Sequence, residues 1–291
     1  MPSPALSFRT LLFAGLLFMH QIAVGQAQEN PSALSVAVSI KPLHSLISSL
    51  MEGTGSQPSL IVSGGASPHA YSLKPSDARK LATAQLVFWI GPGMESFLVK
   101  PMQSLAGKAG IVTFVPRAET NPHIWLSPIK ARAMVETAVA RLAVADPGNA
   151  DVYRRNGARL DKRLGELQAE SVNALRAIAA KPFIVYHDAY DHLAAAFGLT
   201  IAGMVTTNPE RAPGAGRIAQ LRALMKARAV SCLFAEPQVD TRRLNMIVEN
   251  VPNARVEILD PLGTDIPPGG DMYFTLMRAN VRALVDCLSG Q

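Results

Sequence analysis

At 291 residues and 48% hydrophobic content, the chain has enough apolar material for one large or two medium cores. A formal charge of +6 invites an anionic partner, but the basic residues are scattered. The densest basic run, 153–166, carries acids within it and its one aromatic, Tyr153, only at its edge, which leaves a nucleic-acid-binding reading without support.

The first thirty residues read as an export leader rather than as fold. Arg9 supplies a positive charge, residues 11–19 an apolar core too short to span a bilayer, and Gly25-Gln26-Ala27 a small-x-small cleavage site. The expected product is a soluble periplasmic chain starting near Gln28, with 1–27 as signal peptide. No cysteine follows the apolar core, which argues against a lipid anchor.

Beyond the leader, short apolar runs alternate with helix-period runs. Strands are expected at 35–40, 58–63, 86–91 and 110–115. Helices are expected at 42–53, 75–85 and 94–107, the first with Leu43, Leu46, Ile47 and Leu50 on one face. The stretch 127–182 has no strand signal. Ser127-Pro128 and Asp146-Pro147 each pair a capping residue with proline at the first helical position, and the second opens a long helix over 147–180. Strand and helix then alternate again: strands at 183–187, 231–236 and 254–260, helices at 188–198, 214–229, 241–250 and 271–288. This pattern predicts an α/β fold of two similar lobes, each a mainly parallel sheet flanked by helices, joined by one long rigid helix. The lobes are drawn at 28–146 and 181–291.

Two cysteines, Cys232 and Cys287, form an even pair in an exported chain and read as one disulfide, with two buried thiols as the alternative. The histidines are more informative. His69 (GGASPHAYSLKP) and His123 (NPHIWLSP) sit in proline-containing loops beside an aromatic residue. His187 (FIVYHDAYDH) and Asp260 (VEILDPLG) close apolar strands. In open α/β sheets, ligands bind beyond the carboxyl ends of the strands. Taken singly, a loop histidine is an ordinary surface hydrogen-bonder and an aspartate before proline an ordinary turn former. Convergence of all four on strand ends in both lobes yields an N3O donor set suited to tetrahedral Zn2+ in the cleft. Neutral imidazoles bind the cation, so affinity is expected to fail below about pH 6.

These residues resemble the zinc-binding receptors of bacterial ABC importers, the ZnuA-like branch of the cluster A-I substrate-binding proteins. GGASPHAYSLKPSD, NPHIWLSP and HDAYDHLAAAFGL look like the family's three ligand loops. TTNPERAPGAGRI, LFAEPQ and LDPLG look like its C-terminal lobe, in order. The resemblance covers the whole mature chain. It implies a metal-binding receptor, not an enzyme, that delivers zinc to a membrane permease, with His69, His123 and His187 as ligands and Asp260 or a water as the fourth. It also implies zinc over manganese, since manganese receptors tend to carry glutamate where His187 stands, and the Cys232–Cys287 bond. Two features depart from the family. No His-rich insert precedes His123, and Pro68 stands where an acidic residue often precedes the first histidine.

The remaining candidates have narrower readings. His44 lies early in the first helix and is a possible metal contact. Glu236, at the end of LFAE, fits an acceptor behind a ligand or a partner of Arg211, with direct metal contact as the lesser alternative. His192 is expected to be exposed, and Tyr71 and Trp125 to wall the cleft. The rival readings are a receptor for Mn2+ or another divalent ion, a periplasmic zinc hydrolase, a receptor for haem or a siderophore, and an adhesin of the same family. The hydrolase lacks an H-E-x-x-H or G-x-S-x-G motif. An organic cargo would need a more aromatic cleft than 6% aromatic residues provide. The chain is expected to act as a monomer.

Overall fold

The computed structural model describes residues 33–117 and 120–290, together with Met1; the leader read at 1–27 otherwise lies outside them. Among the described residues, no helix is long and apolar enough to cross a membrane. The first half runs β1 (Val36–Val38), α1 (Lys41–Met51), β2 (Ser59–Leu60), α2 (Pro75–Thr83), β3 (Leu86–Trp89), α3 (Val99–Ser104), β4 (Gly110–Thr113) and α4 (Pro128–Ala145). The 26-residue α5 (Ala150–Leu175) follows. The second half is β5 (Pro182–Val185), α6 (Asp191–Phe197), β6 (Thr200–Met204), α7 (Ala215–Ala227), β7 (Cys232–Ala235), α8 (Thr241–Val248), β8 (Arg255–Ile258) and α9 (Met272–Ser289).

Two parallel four-stranded sheets result, ordered β2-β1-β3-β4 and β6-β5-β7-β8. The strand order is the same in both, so the expected α/β architecture of two similar lobes holds. The inner strands β1 (VAV), β3 (LVFW) and β7 (CLFA) are buried along their whole length, as parallel strands covered on both faces must be. In each sheet the chain leaves its first strand in one direction and returns on the other side. The crevice between β1 and β3, and that between β5 and β7, is where such sheets receive ligands.

The long helix differs in detail from the 147–180 expectation. Pro147–Asn149 forms a 3-10 turn, α5 begins at Ala150, and regular helix ends at Leu175. Asp146 does not cap a backbone amide; its carboxylate accepts from Asn149 Nδ2 and Tyr153 Oη, both at 2.8 Å. Pro101 falls in the first turn of α3, and the helix expected over 94–107 becomes a 3-10 turn, Ser96–Leu98, followed by α3. The edge strand β6 was not expected. Its sequence TIAGM mixes Ala and Gly, poor strand formers, and shows no alternation.

One apolar cluster runs unbroken from Val36 in β1 through Leu160, Leu164, Leu167 and Leu175 of α5 to Tyr273, Met277 and Leu284 of α9. The α5 leucines recur at helical spacing, and each fully buried one is worth about 1.5–3 kcal/mol. Gly157 lets α4 approach, because a Cβ there would lie 2.6 Å from Val139 Cγ2. The outer face of α5 is charged and paired: Arg154 with Asp151, Arg163 with Asp271, and Glu170 with Arg278. Those exposed pairs contribute little stability but account for the densest basic run in the chain.

Polar bonds also tie the halves. Asn156, buried in α5, donates to the carbonyls of Leu50 (2.9 Å) and Glu52 (2.8 Å) at the end of α1. Lys41 Nζ, buried at the start of α1, donates to the carbonyls of Gly263 (2.5 Å) and Thr264 (2.9 Å). Trp125 Nε1 donates to Pro261 O, and Tyr273 Oη to Trp125 O, both at 2.7 Å. Asn156→Ala is expected to cost about 2 kcal/mol, because it strands two helix-end carbonyls. The check is a urea titration, in which the midpoint should fall at unchanged slope.

Candidate metal centre

Each of the three loop histidines follows a strand's carboxyl end. His69 lies between β2 and α2. The turn there closes on Pro68, with Ala70 N–H donating to Ser67 O at 3.3 Å. Gly65 lets this loop lie against the other half, since a Cβ there would meet the Thr264 methyl at 2.9 Å. His123 follows β4 and caps the 3-10 turn Ile124–Leu126. His187 lies two residues beyond β5.

The fold brings these three together. One ring nitrogen from each lies within 4.8 Å of the corresponding nitrogen of the others, and no other His, Cys, Asp or Glu among the described residues joins a group of three or more. His123 and His187 are 3% and 4% exposed. The ring centroids are 5.0 Å (His123–His187), 5.5 Å (His69–His123) and 5.7 Å (His69–His187) apart.

Hydrogen bonds behind the rings orient the nitrogens. Asn121 Oδ1 takes both the His123 backbone N–H, at 3.1 Å, and His123 Nδ1, at 2.9 Å. Glu236 Oε1, immediately beyond β7, lies 2.5 Å from His187 Nδ1. Both partners are acceptors, so each Nδ1 carries a proton, and in a neutral ring the Nε2 presents a lone pair. Those two Nε2 atoms face one another at 3.2 Å. Two lone pairs at that distance repel unless a proton or a metal cation lies between them. Nitrogens 2.0–2.1 Å from one tetrahedral Zn2+ would be about 3.3 Å apart, so this pair is already spaced for an ion. The third ring offers the same capacity: His69 Nε2 is buried with no hydrogen-bond partner.

Burial holds the His69 imidazole at about 4, with His187 lowering it further and Glu210 opposing. His123 is held well below 6.5 by burial, then by His187, His69 and His192. These two groups therefore stay neutral well below pH 6. Both take up protons more readily in the unfolded chain, near pH 6.5, than in the fold. The metal-free protein is therefore expected to have its full stability above about pH 6.5 and to lose it as pH falls towards 4. The loss is up to about 1.4 kcal/mol per pH unit for each such imidazole. Urea midpoints measured in chelator between pH 7.5 and 4.5 check this; flat midpoints would contradict it.

The other candidates stand elsewhere. Asp260 does not join the group. Its Oδ1 accepts from Leu262 N and Gly263 N, both at 2.9 Å, and its Oδ2 from Thr264 N at 2.5 Å, so the carboxylate folds its own loop. His44 Nε2 lies 3.0 Å from Pro58 O and its Nδ1 3.4 Å from Ser48 Oγ. It holds the end of the loop before β2 rather than the cleft. His192, expected to be exposed, is half-buried with Nε2 3.0 Å from Asn121 O. Trp125 is fully buried behind His123 at a centroid distance of 5.2 Å, and Tyr71 donates to Asp77 Oδ2 at 2.7 Å. Cys232 and Cys287 are disulfide-bonded, and their Cα atoms are 6.1 Å apart.

Asn121 was not singled out from the sequence. The signal was there in N-P-H, an Asx turn ahead of His123. A cavity of about 210 Å³ beside the imidazoles is also walled by Pro68, Glu236, Glu210 and Leu262. It opens through a polar mouth of about 520 Å³ past Asn121, Asp188 and Glu210.

The comparisons with known proteins agree with this arrangement. The ZnuA family, described as "Zinc-uptake complex component A periplasmic", matches residues 36–287. The chain is 34% identical to the high-affinity zinc uptake system protein ZnuA of Brucella suis biovar 1 (strain 1330), over 87% of this chain and 91% of that one. It is 31% identical to the protein of that name from Yersinia pestis, over 89% and 92%. Among solved structures, a 138–173 ZnuA deletion mutant with zinc bound superposes with a TM-score of 0.77 at 26% identity, over 89% of this chain and 99% of that one. This chain belongs to the ZnuA family, whose members are binding components of uptake systems and not enzymes.

Proposed function

We propose that this chain is an exported Zn(II) receptor that takes the ion into the cleft between lobes 28–146 and 181–291 and hands it to the membrane permease of an ABC importer. The observation that carries this reading is the pair of facing Nε2 atoms of His123 and His187, 3.2 Å apart, with an orphaned His69 nitrogen beside them. His69, His123 and His187 are the ligands in this reading. Three imidazoles backed by a buried carboxylate favour zinc over manganese, which prefers oxygen donors. The high-affinity zinc uptake relatives and the leader-like residues 1–27 support the cargo and the periplasmic location.

The ligands come from both halves, so the ion acts as a bridge. Nitrogens up to 4.8 Å apart must draw in towards about 3.3 Å, and filling the site favours the more closed arrangement. The core shared along α5 limits that closure to a small tilt or a loop movement of an ångström or two. The permease then reads the closed face. The test is metal analysis of protein purified from the periplasm without added metal, followed by competition titration. One equivalent of zinc, with manganese at least about 100-fold weaker, is expected. Protein that carries manganese, or retains no metal, would refute the assignment.

A further inference from the structure

We propose that Glu210 supplies the carboxylate that meets the ion at the mouth of the cleft and fills the coordination position the three imidazoles leave open. This rests on the reading of those imidazoles as metal ligands. A tetrahedral ion held by three nitrogens has one vacant position, and an oxygen donor there completes the set.

The nearby carboxylates are committed, with one exception. Both oxygens of Asp260 accept backbone N–H groups of Leu262, Gly263 and Thr264. Withdrawing them would strand those amides in the loop whose carbonyls hold Lys41. Glu236 is bound to His187 Nδ1, and Asp188 at the mouth accepts from Asn121 Nδ2 at 3.3 Å. The position before His69 is proline. Glu210 is different. It lines both the inner cavity and the polar mouth, in each case together with His69, His123 and His187. Its side chain is exposed and its carboxylate has no hydrogen-bond partner among the described residues, yet its charge acts on His69.

The backbone under Glu210 is held while the side chain is not. Asn208 Oδ1 accepts from Glu210 N–H at 3.0 Å, Thr206 Oγ1 donates to Asn208 O at 2.9 Å, and Tyr186 Oη donates to Pro209 O at 3.3 Å. Tyr186 immediately precedes His187, so the Glu210 loop is tied to the strand end that carries a ligand. A glutamate with a fixed root and a free carboxylate, lining the same cavity as the three imidazoles, is placed to attract a hydrated dication and then replace its last water. Its oxygens are outside the 4.8 Å group in the metal-free arrangement. Rotation of the side chain is therefore part of capture.

The test compares parent, Glu210→Gln, Asp260→Asn and His187→Ala proteins. Zn(II) affinity is measured by chelator competition, coordination by the visible absorption of the Co(II)-loaded protein, and folding by the melting temperature without metal. Glu210→Gln is expected to weaken zinc binding about 10- to 100-fold, alter the Co(II) spectrum and leave metal-free melting unchanged. Zinc affinity within twofold of the parent, with an unchanged Co(II) spectrum, would overturn the proposal. So would a Co(II) spectrum that responds to Asp260→Asn alone. Either result, with His187→Ala still impaired, would leave the imidazole reading intact; a neutral His187→Ala would sink that reading instead.

Discussion

His187→Ala protein is expected to bind Zn(II) about 100- to 1,000-fold more weakly than the parent in chelator competition. Structural zinc sites are worth about 10–16 kcal/mol over four ligands, so one ligand carries about 2.5–4 kcal/mol, and each 1.4 kcal/mol is tenfold in affinity. Two features of the site push the effect to the upper end. His187 Nε2 is one of the two nitrogens already at metal spacing, 3.2 Å from His123 Nε2. Removing the ring also leaves Glu236, 4% exposed, without the group it orients. His123→Ala should behave alike. His44→Ala is the control: its ring is occupied by Pro58 O and Ser48 Oγ, and its affinity should stay within twofold. An equal loss in all three proteins would mean that damage to the fold, not ligand removal, sets the affinity.

The alternation of strands and helices was legible because parallel strands buried on both faces are written as uninterrupted apolar runs. VAV, LVFW and CLFA stand out against amphipathic helices. β6 was not legible: as an edge strand it needs few apolar residues, and TIAGM reads as a continuation of the loop after Gly198. The three clustered histidines were legible because stiff loops and strand ends are where such sheets hold ligands, and the fold did bring them together. What lay beyond reach was which partner each polar group takes. Asp260 sits at a strand end like His187, but a carboxylate two to four residues before a run of free amides satisfies them first. The acceptors behind the rings arise differently. Asn121 is local to His123, whereas Glu236 is 49 positions from His187 and meets it only because β5 and β7 are neighbours.

Replacing both Cys232 and Cys287 by alanine is expected to lower stability by about 4 kcal/mol, because the bond closes a loop with a sequence separation of 55 and its loss frees the unfolded chain. Alanine is the better probe. The two positions are 0% and 2% exposed, so a serine pair would bury two hydroxyls and confound loop entropy with desolvation. For a chain of this size the change corresponds to a fall in melting temperature of roughly 8–15 °C. The effect on metal should be small. Cys232 begins β7 and Glu236 lies just past its other end, about 13 Å along the strand, and β7 stays paired to both β5 and β8 without the bond. Zinc affinity of the folded alanine pair should therefore remain within about threefold of the parent, against a loss of two orders or more for His187→Ala. If affinity fell together with stability, the crosslink would be setting the position of Glu236, and through it the His187 ring. If stability fell by less than about 1 kcal/mol, the loop would already be constrained in the unfolded chain, and the entropy argument would not hold for this protein.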